Sequence, residues 1–191
     1  MIEQLNIQVY SQINSLAGTD VVLDGVAKLF AKYSHVAGIF YLVFAWFRRG
    51  FFIKDIIMCA ICSVIIGVGI NLIISATYQH PMLFLVPHEK MLIPHGPTRS
   101  FPSDYTTSIL SISLFLIWFK ETRTAGVLLT MLGLFGGMAR IFCGVHFPLD
   151  IIVACGVGLF SAFLTYLLRN WIIHALELFI NHESRIYKNR F

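Results

Sequence analysis

The stretch IIMCAICSVIIGVGINLIISATYQ, Ile56 to Gln79, runs for 24 residues without one Asp, Glu, Lys or Arg. Coiled as an α-helix it is about 36 Å long, enough to cross a hydrocarbon core of about 30 Å. A span of this kind sets the fold class, because only a helix or a closed barrel satisfies its own backbone in lipid. Four more segments are uncharged enough to be read the same way: Ser34–Phe47, Asp104–Phe119, in which only the first residue is charged, Thr124–Ala139 and Ile151–Leu168. Ser34–Phe47 is short alone and extends back through Lys32 if that side chain snorkels. The expected fold is an all-α polytopic membrane bundle, with about five transmembrane helices and an N-terminal amphipathic or re-entrant helix. Gly67, Gly69, Gly133, Gly136, Gly137, Gly156 and Gly158 lie inside the spans, where small residues let helices approach closely.

Composition agrees. The 191 residues are 57% hydrophobic and 13% charged, with a mean hydropathy of +0.76. A soluble domain carries about twice that charge. Disorder, a disulfide scaffold and a soluble enzyme are thereby excluded. The net charge of +4 would hint at nucleic acid in a soluble chain. Here the basic residues flank apolar runs, so they read as topology signals and nucleic acid is not an expected partner. Cys59 and Cys62 form a CxxC inside an apolar run with no second ligand pair, so a helix face is expected there and not a metal site. Glu3 and the lack of a basic n-region speak against a cleaved signal peptide. Residues 1–33 read as an interfacial or re-entrant segment, 34–168 as the membrane core and 169–191 as a cytoplasmic amphipathic tail.

If the turn after the first span is cytoplasmic, Arg48, Arg49, Lys54, Lys120, Arg123, Arg169, Arg185, Lys188 and Arg190 share that side, nine of the fourteen Lys and Arg. The positive-inside bias supports that orientation. Loops 80–103 and 140–150 then emerge together on the outer face. They bring His80, His88, His95 and His146 with them.

The loop around 140–150 carries the densest chemistry. Arg140 offers a planar fork of donors suited to phosphate oxygens. His146 is a candidate nucleophile or proton shuttle. Asp150 follows four residues later, where a carboxylate can accept the imidazole Nδ1–H and turn Nε2 toward substrate. The plain alternative is a polar collar at the interface. A second stretch, Arg99-Ser100-Phe101-Pro102-Ser103-Asp104-Tyr105, reads as a helix start. Free N–H groups there favour an anion. Ser103 is read either as a cap or as a phosphate ligand, and Arg99 either as a phosphate ligand or as a solvated loop charge.

In order and spacing these residues resemble the type-2 phosphatidic acid phosphatase superfamily, which includes the vanadium haloperoxidases. The closer likeness is to small bacterial undecaprenyl-pyrophosphate phosphatases of the bacitracin-resistance kind. The family's third motif, Ser-Arg-x5-His-x3-Asp, is met by Arg140, His146 and Asp150, with Ala139 in place of the Ser. The second, Pro-Ser-Gly-His, is met at Pro102-Ser103. Asp104 stands for Gly, a change common in that subgroup, and Tyr105 stands at the general-acid His. The first, Lys-x6-Arg-Pro, falls on Ser75, Met82 and Leu83.

The resemblance implies that His146 attacks phosphorus and Asp150 orients it. It places Tyr105 at the acid position and assigns phosphate binding to Arg140, Ser103 and Asp104, with Arg99 as a substitute for the missing clamp. It also implies a membrane lipid phosphatase, acting on undecaprenyl diphosphate or a related isoprenoid or lipid phosphate through a phosphohistidine. The active site is expected on the extracytoplasmic face of a bacterial inner membrane. No metal or cofactor is expected. The expected partners are the lipid substrate and membrane lipids, and a homo-oligomer is compatible with the sequence.

Tyr105 favours a diphosphate, whose leaving group needs less protonation than an alkoxide. Two other classes compete. One is a catalytically impaired homologue that binds lipid phosphate or a protein partner. The other is a transporter, which requires ionisable groups deep in the spans; on this reading only Asp104 borders one.

Overall fold

The computed structural model describes residues 2–48, 51–78, 90–94 and 101–188. They form six helices: α1 (Ile2–Asn14), α2 (Val21–Arg48), α3 (Phe51–Thr77), α4 (Asp104–Ile117), α5 (Arg123–Phe142) and α6 (Pro148–Lys188). Four of them contain stretches long and apolar enough to cross a membrane: Val21–Phe47, Ile53–Thr77, Arg123–Phe142 and Pro148–Leu178. α4 is shorter and apolar. The protein is a multi-pass all-α membrane bundle, as expected.

α4 is the axis of the bundle. It packs against α2, α3, α5 and α6, and nine of its fourteen residues are buried. Encased by its neighbours, it has no need of full membrane length. Small residues bring the surrounding helices close. A Cβ on Gly67 would strike Ser111 and Ser161, and one on Gly126 would meet the backbone of Ser113 at 2.8 Å. Gly133, Gly136, Gly137 and Gly158 are similarly enclosed, whereas Gly69 and Gly156 face open space. Hydroxyls stitch the same seam: Ser63 Oγ donates to the Ser111 carbonyl at 3.2 Å, and Ser111 and Ser161 share a bond of 2.8 Å.

The first span is longer than expected. The helix begins at Val21, so residues 21–33 are continuous with the apolar stretch that follows them. Lys28 and Lys32 interrupt the apolar count in the sequence, yet both are exposed on the helix surface, where a long stem carries the charge outward. The true break is the turn before α2. Gly18 has φ +72° there, and Asp20 Oδ1 accepts from the N–H groups of Val22 and Leu23 at 2.8 and 2.9 Å. An N-cap of this kind is worth about 1 kcal/mol.

Three apolar clusters fill the bundle, one at one end and two at the other. One, with Leu42, Ala45, Ile57, Phe115 and Leu116, fills the end near the α2–α3 and α4–α5 turns. The other end holds Ala27, Ala31, Ala139, Phe142 and Val145 beside Tyr10, Ile141, Phe147 and Ile151. The starts of α4 and α6 and the end of α5 meet above these two clusters.

Candidate active site

The last turn of α5 delivers Arg140, and the chain then reverses sharply. Gly144 N–H reaches the Ile141 carbonyl at 3.1 Å and Val145 N–H reaches the Arg140 carbonyl at 2.9 Å. This is the double bond of a Schellman ending, with its left-handed residue at Gly144, φ +74°. Only glycine fits: a Cβ there would lie 2.7 Å from the Lys90 carbonyl oxygen. The reversal brings His146 back over Arg140.

α6 begins two residues later. Asp150 Oδ2 accepts from the Phe147 N–H at 3.0 Å and from His146 Nδ1 at 3.1 Å. The first bond is the return arm of a capping box; the second aims the imidazole. One carboxylate oxygen thus ends the loop and orients the histidine. Asn6 of α1 adds the other cap, its Oδ1 accepting from Leu149 N–H at 3.0 Å.

Arg140 completes the row. Its Nη1 donates to the Ala31 carbonyl at 3.0 Å and its Nη2 to His146 Nε2 at 3.1 Å. A guanidinium has donors and no acceptor, so Nε2 must present its lone pair. The proton therefore sits on Nδ1, facing Asp150. The tautomer needed for attack through Nε2 follows from the hydrogen bonds. All three side chains are enclosed, with exposures of 7% for Arg140, 3% for His146 and 0% for Asp150. Arg140 Nε is buried without a hydrogen-bond partner. A buried donor in that state needs an acceptor, and a phosphoryl oxygen would provide one.

The start of α4 borders this row. Ser103 is fully buried and makes no side-chain cap; its Oγ accepts from Thr106 Oγ1 at 3.2 Å. Its backbone N–H points to the Asp150 carbonyl at 3.4 Å. Asp104 is held from α3: Asn71 Nδ2 donates to its Oδ1 at 2.8 Å and to Thr107 Oγ1 at 3.0 Å. This contact anchors the Asp104 carboxylate at the helix start. Tyr105 lies with its ring 4.2 Å from the Arg140 guanidinium carbon.

Arg99, His80, His88, His95, Met82 and Leu83 fall outside the described residues. Lys90 is committed to the end of α1, where its Nζ bonds the carbonyls of Ser15 and Ala17. Asn14 holds the same segment, donating to the Lys90 and Phe142 carbonyls at 2.9 and 3.0 Å. Burial pushes the nearby Cys143 thiol up to about 11, so it is a neutral packing group.

Sequence reasoning missed His35, Asn71, Asn6 and the Ala31 carbonyl. His35 stands in the first span with its ring 4.0 Å from that of Tyr105. It corrects the reading that only Asp104 borders a span. An ionisable residue inside an apolar helix was the available signal.

The family model of the PAP2 superfamily matches residues 56–173. Undecaprenyl-diphosphatase BcrC of Bacillus subtilis (strain 168) is 29% identical over 184 residues, covering 96% of this chain and 92% of the relative. The bacitracin transport permease protein BcrC of Bacillus licheniformis is 29% identical over 191 residues, covering 98% and 93%. The crystal structure of Aquifex aeolicus LpxE superposes with a TM-score of 0.70 at 23% identity, over 85% of this chain and 94% of that one.

Proposed function

This chain belongs to the PAP2 superfamily and is a membrane phosphatase, and from that premise we propose that it removes the terminal phosphate of undecaprenyl diphosphate through a phosphohistidine at His146. The observation that carries the reading is the row Ala31–Arg140–His146–Asp150, each joined to the next at 3.0 to 3.1 Å. A polar collar has no need of a fixed tautomer, and a transporter has no need of a nucleophile. The name of the Bacillus subtilis relative gives the substrate class.

The chemistry follows from the geometry. A terminal phosphoryl group seated against Arg140 takes over the guanidinium donors. Nε2 of His146 then attacks phosphorus in line, and the bond to the bridging oxygen breaks. That electron pair leaves with undecaprenyl phosphate. Positive charge grows on the imidazole, and Asp150 stabilises it through Nδ1. Arg140 stabilises the equatorial oxygens, as in other phosphoryl transfers. Water then attacks the phosphohistidine, the N–P bond breaks, and phosphate departs with His146 restored.

The apolar lining between α2 and α5 suits the substrate's tail. Leu23, Val26, Phe30, Phe135, Met138 and Phe142 line a groove of about 450 Å³ beside the end of α5. The basic residues collected at the α2–α3 and α4–α5 turns support placing the opposite end, with His146, on the outer face of a bacterial cytoplasmic membrane.

The test is phosphate release from undecaprenyl diphosphate by the purified protein in detergent, with His146→Ala alongside. Release by the wild type alone supports the reading. Equal release by both overturns it. Tight binding of undecaprenyl phosphate with no turnover would favour the impaired homologue.

A further inference from the structure

We propose that His35 is the acid that protonates the departing oxygen, supplied by α2 and not by the helix start at Ser103. The inference rests on the phosphatase reading above. Displacement at phosphorus puts an electron pair on the leaving oxygen, and a positioned proton lowers that barrier. Among the described residues, most groups around the row are already committed. His146 gives Nε2 to phosphorus and keeps its proton on Asp150. Asp104 accepts from Asn71. Lys90 is tied to the end of α1. Arginine keeps its protons in proteins. Tyr105 remains, but its ring is laid over the Arg140 guanidinium, 4.2 Å from the guanidinium carbon.

His35 has the right chemistry and the right place. It lies one helical turn from Ala31, whose carbonyl holds Arg140 Nη1. Its ring stacks on Tyr105, centroids 4.0 Å apart and planes tilted by 34°. Tyr105 in turn covers the Arg140 guanidinium. The imidazole is half-buried, and its Nδ1 is enclosed without a hydrogen-bond partner. An unpaired polar atom of this kind, in a helix otherwise suited to lipid, is expensive to keep.

Depth supplies the decisive point. Along the α2–α5 seam, Ala31 faces Arg140 and Ser34 faces Gly136, so the helices run antiparallel. His35 therefore lies about 6 Å nearer the bilayer interior than Ala31. A lipid diphosphate anchored by its chain points its terminal phosphorus toward the membrane surface and its bridging oxygen toward the tail. His146 approaches Arg140 from the loop, and His35 approaches from the tail side. Nucleophile and acid thus flank the phosphoryl group as in-line displacement requires. As the P–O bond breaks, the imidazolium of His35 gives its proton to the bridging oxygen. In the second step the neutral ring takes a proton from the attacking water, and the imidazolium is restored.

The experiment measures kcat and KM on undecaprenyl diphosphate for wild type, His35→Phe, His35→Ala and His146→Ala. Phenylalanine keeps the stack on Tyr105 and removes the proton; alanine leaves space for added imidazole. The expected result is a loss of about 10²-fold in kcat for both His35 variants. KM stays within about twofold, and imidazole restores turnover only to His35→Ala. A His35→Phe variant within about threefold of wild-type kcat would overturn the proposal. So would losses in both variants that imidazole leaves untouched, since His35 would then be a packing residue. Equal release by wild type and His146→Ala would instead mark failure of the underlying phosphatase reading.

Discussion

The two flanks of Arg140 are built differently. On the side of attack, Arg140, His146 and Asp150 are joined by hydrogen bonds of 3.1 Å and almost sealed from solvent. The backbone reinforces them through the Gly144 reversal and the capping of α6. On the side proposed for departure, Tyr105 lays its ring over Arg140 and His35 stacks on Tyr105, and Tyr105 is 41% exposed. Hydrogen bonds fix direction to within a narrow cone, whereas stacked rings tolerate sliding. On the proposed mechanism the rigid flank sets the reaction type, and the looser flank is where the leaving group is chosen.

Substitutions can break or sharpen that contrast. The largest effect belongs to the nucleophile: His146→Ala should lower phosphate release by about 10⁴-fold or more, measured as initial rate in detergent. Asp150→Asn comes next. It keeps the shape and removes the charge that fixes the tautomer, so kcat should fall by about 10³–10⁴-fold. A loss under tenfold would mean that the rigid flank does not govern attack. Arg140→Lys cannot bridge Ala31 and His146 with one planar fork, and should lose about 10²–10³-fold in kcat/KM.

Changes on the looser flank should be smaller and should depend on substrate. Tyr105→His should raise turnover of a lipid monophosphate by up to about 10²-fold, and of undecaprenyl diphosphate by less. Equal gains on both would erase the link between this flank and the leaving group. Smallest is Asn6→Ala, which removes one cap from α6. A loss of about 1 kcal/mol should lower the melting temperature by about 2–4 °C in a thermal scan.

Much of the rigid flank was legible because it is local. Arg140, His146 and Asp150 lie within eleven consecutive residues, and their spacing alone suggests a row. The membrane character was equally plain from Ile56–Gln79. The looser flank was not legible, because it is assembled from α2, α4 and α5. Which face of α2 meets Tyr105 depends on the packing register, which Ser34 against Gly136 helps to set. The start of α2 was obscured for a different reason: Lys28 and Lys32 count as charges in a hydropathy window although they sit on an exposed helix face. Lys90, in the loop between α3 and α4, is likewise settled only by tertiary structure, where the end of α1 supplies two carbonyls for its charge.

The proposed mechanism requires that His146 become covalently phosphorylated. The most direct measurement is rapid acid-free quenching of the protein with undecaprenyl diphosphate labelled in its terminal phosphate, followed by peptide mapping. The account predicts an acid-labile, base-stable label on His146, formed before phosphate release and absent from His146→Ala. Turnover with no label, or a label that persists in His146→Ala, would contradict it.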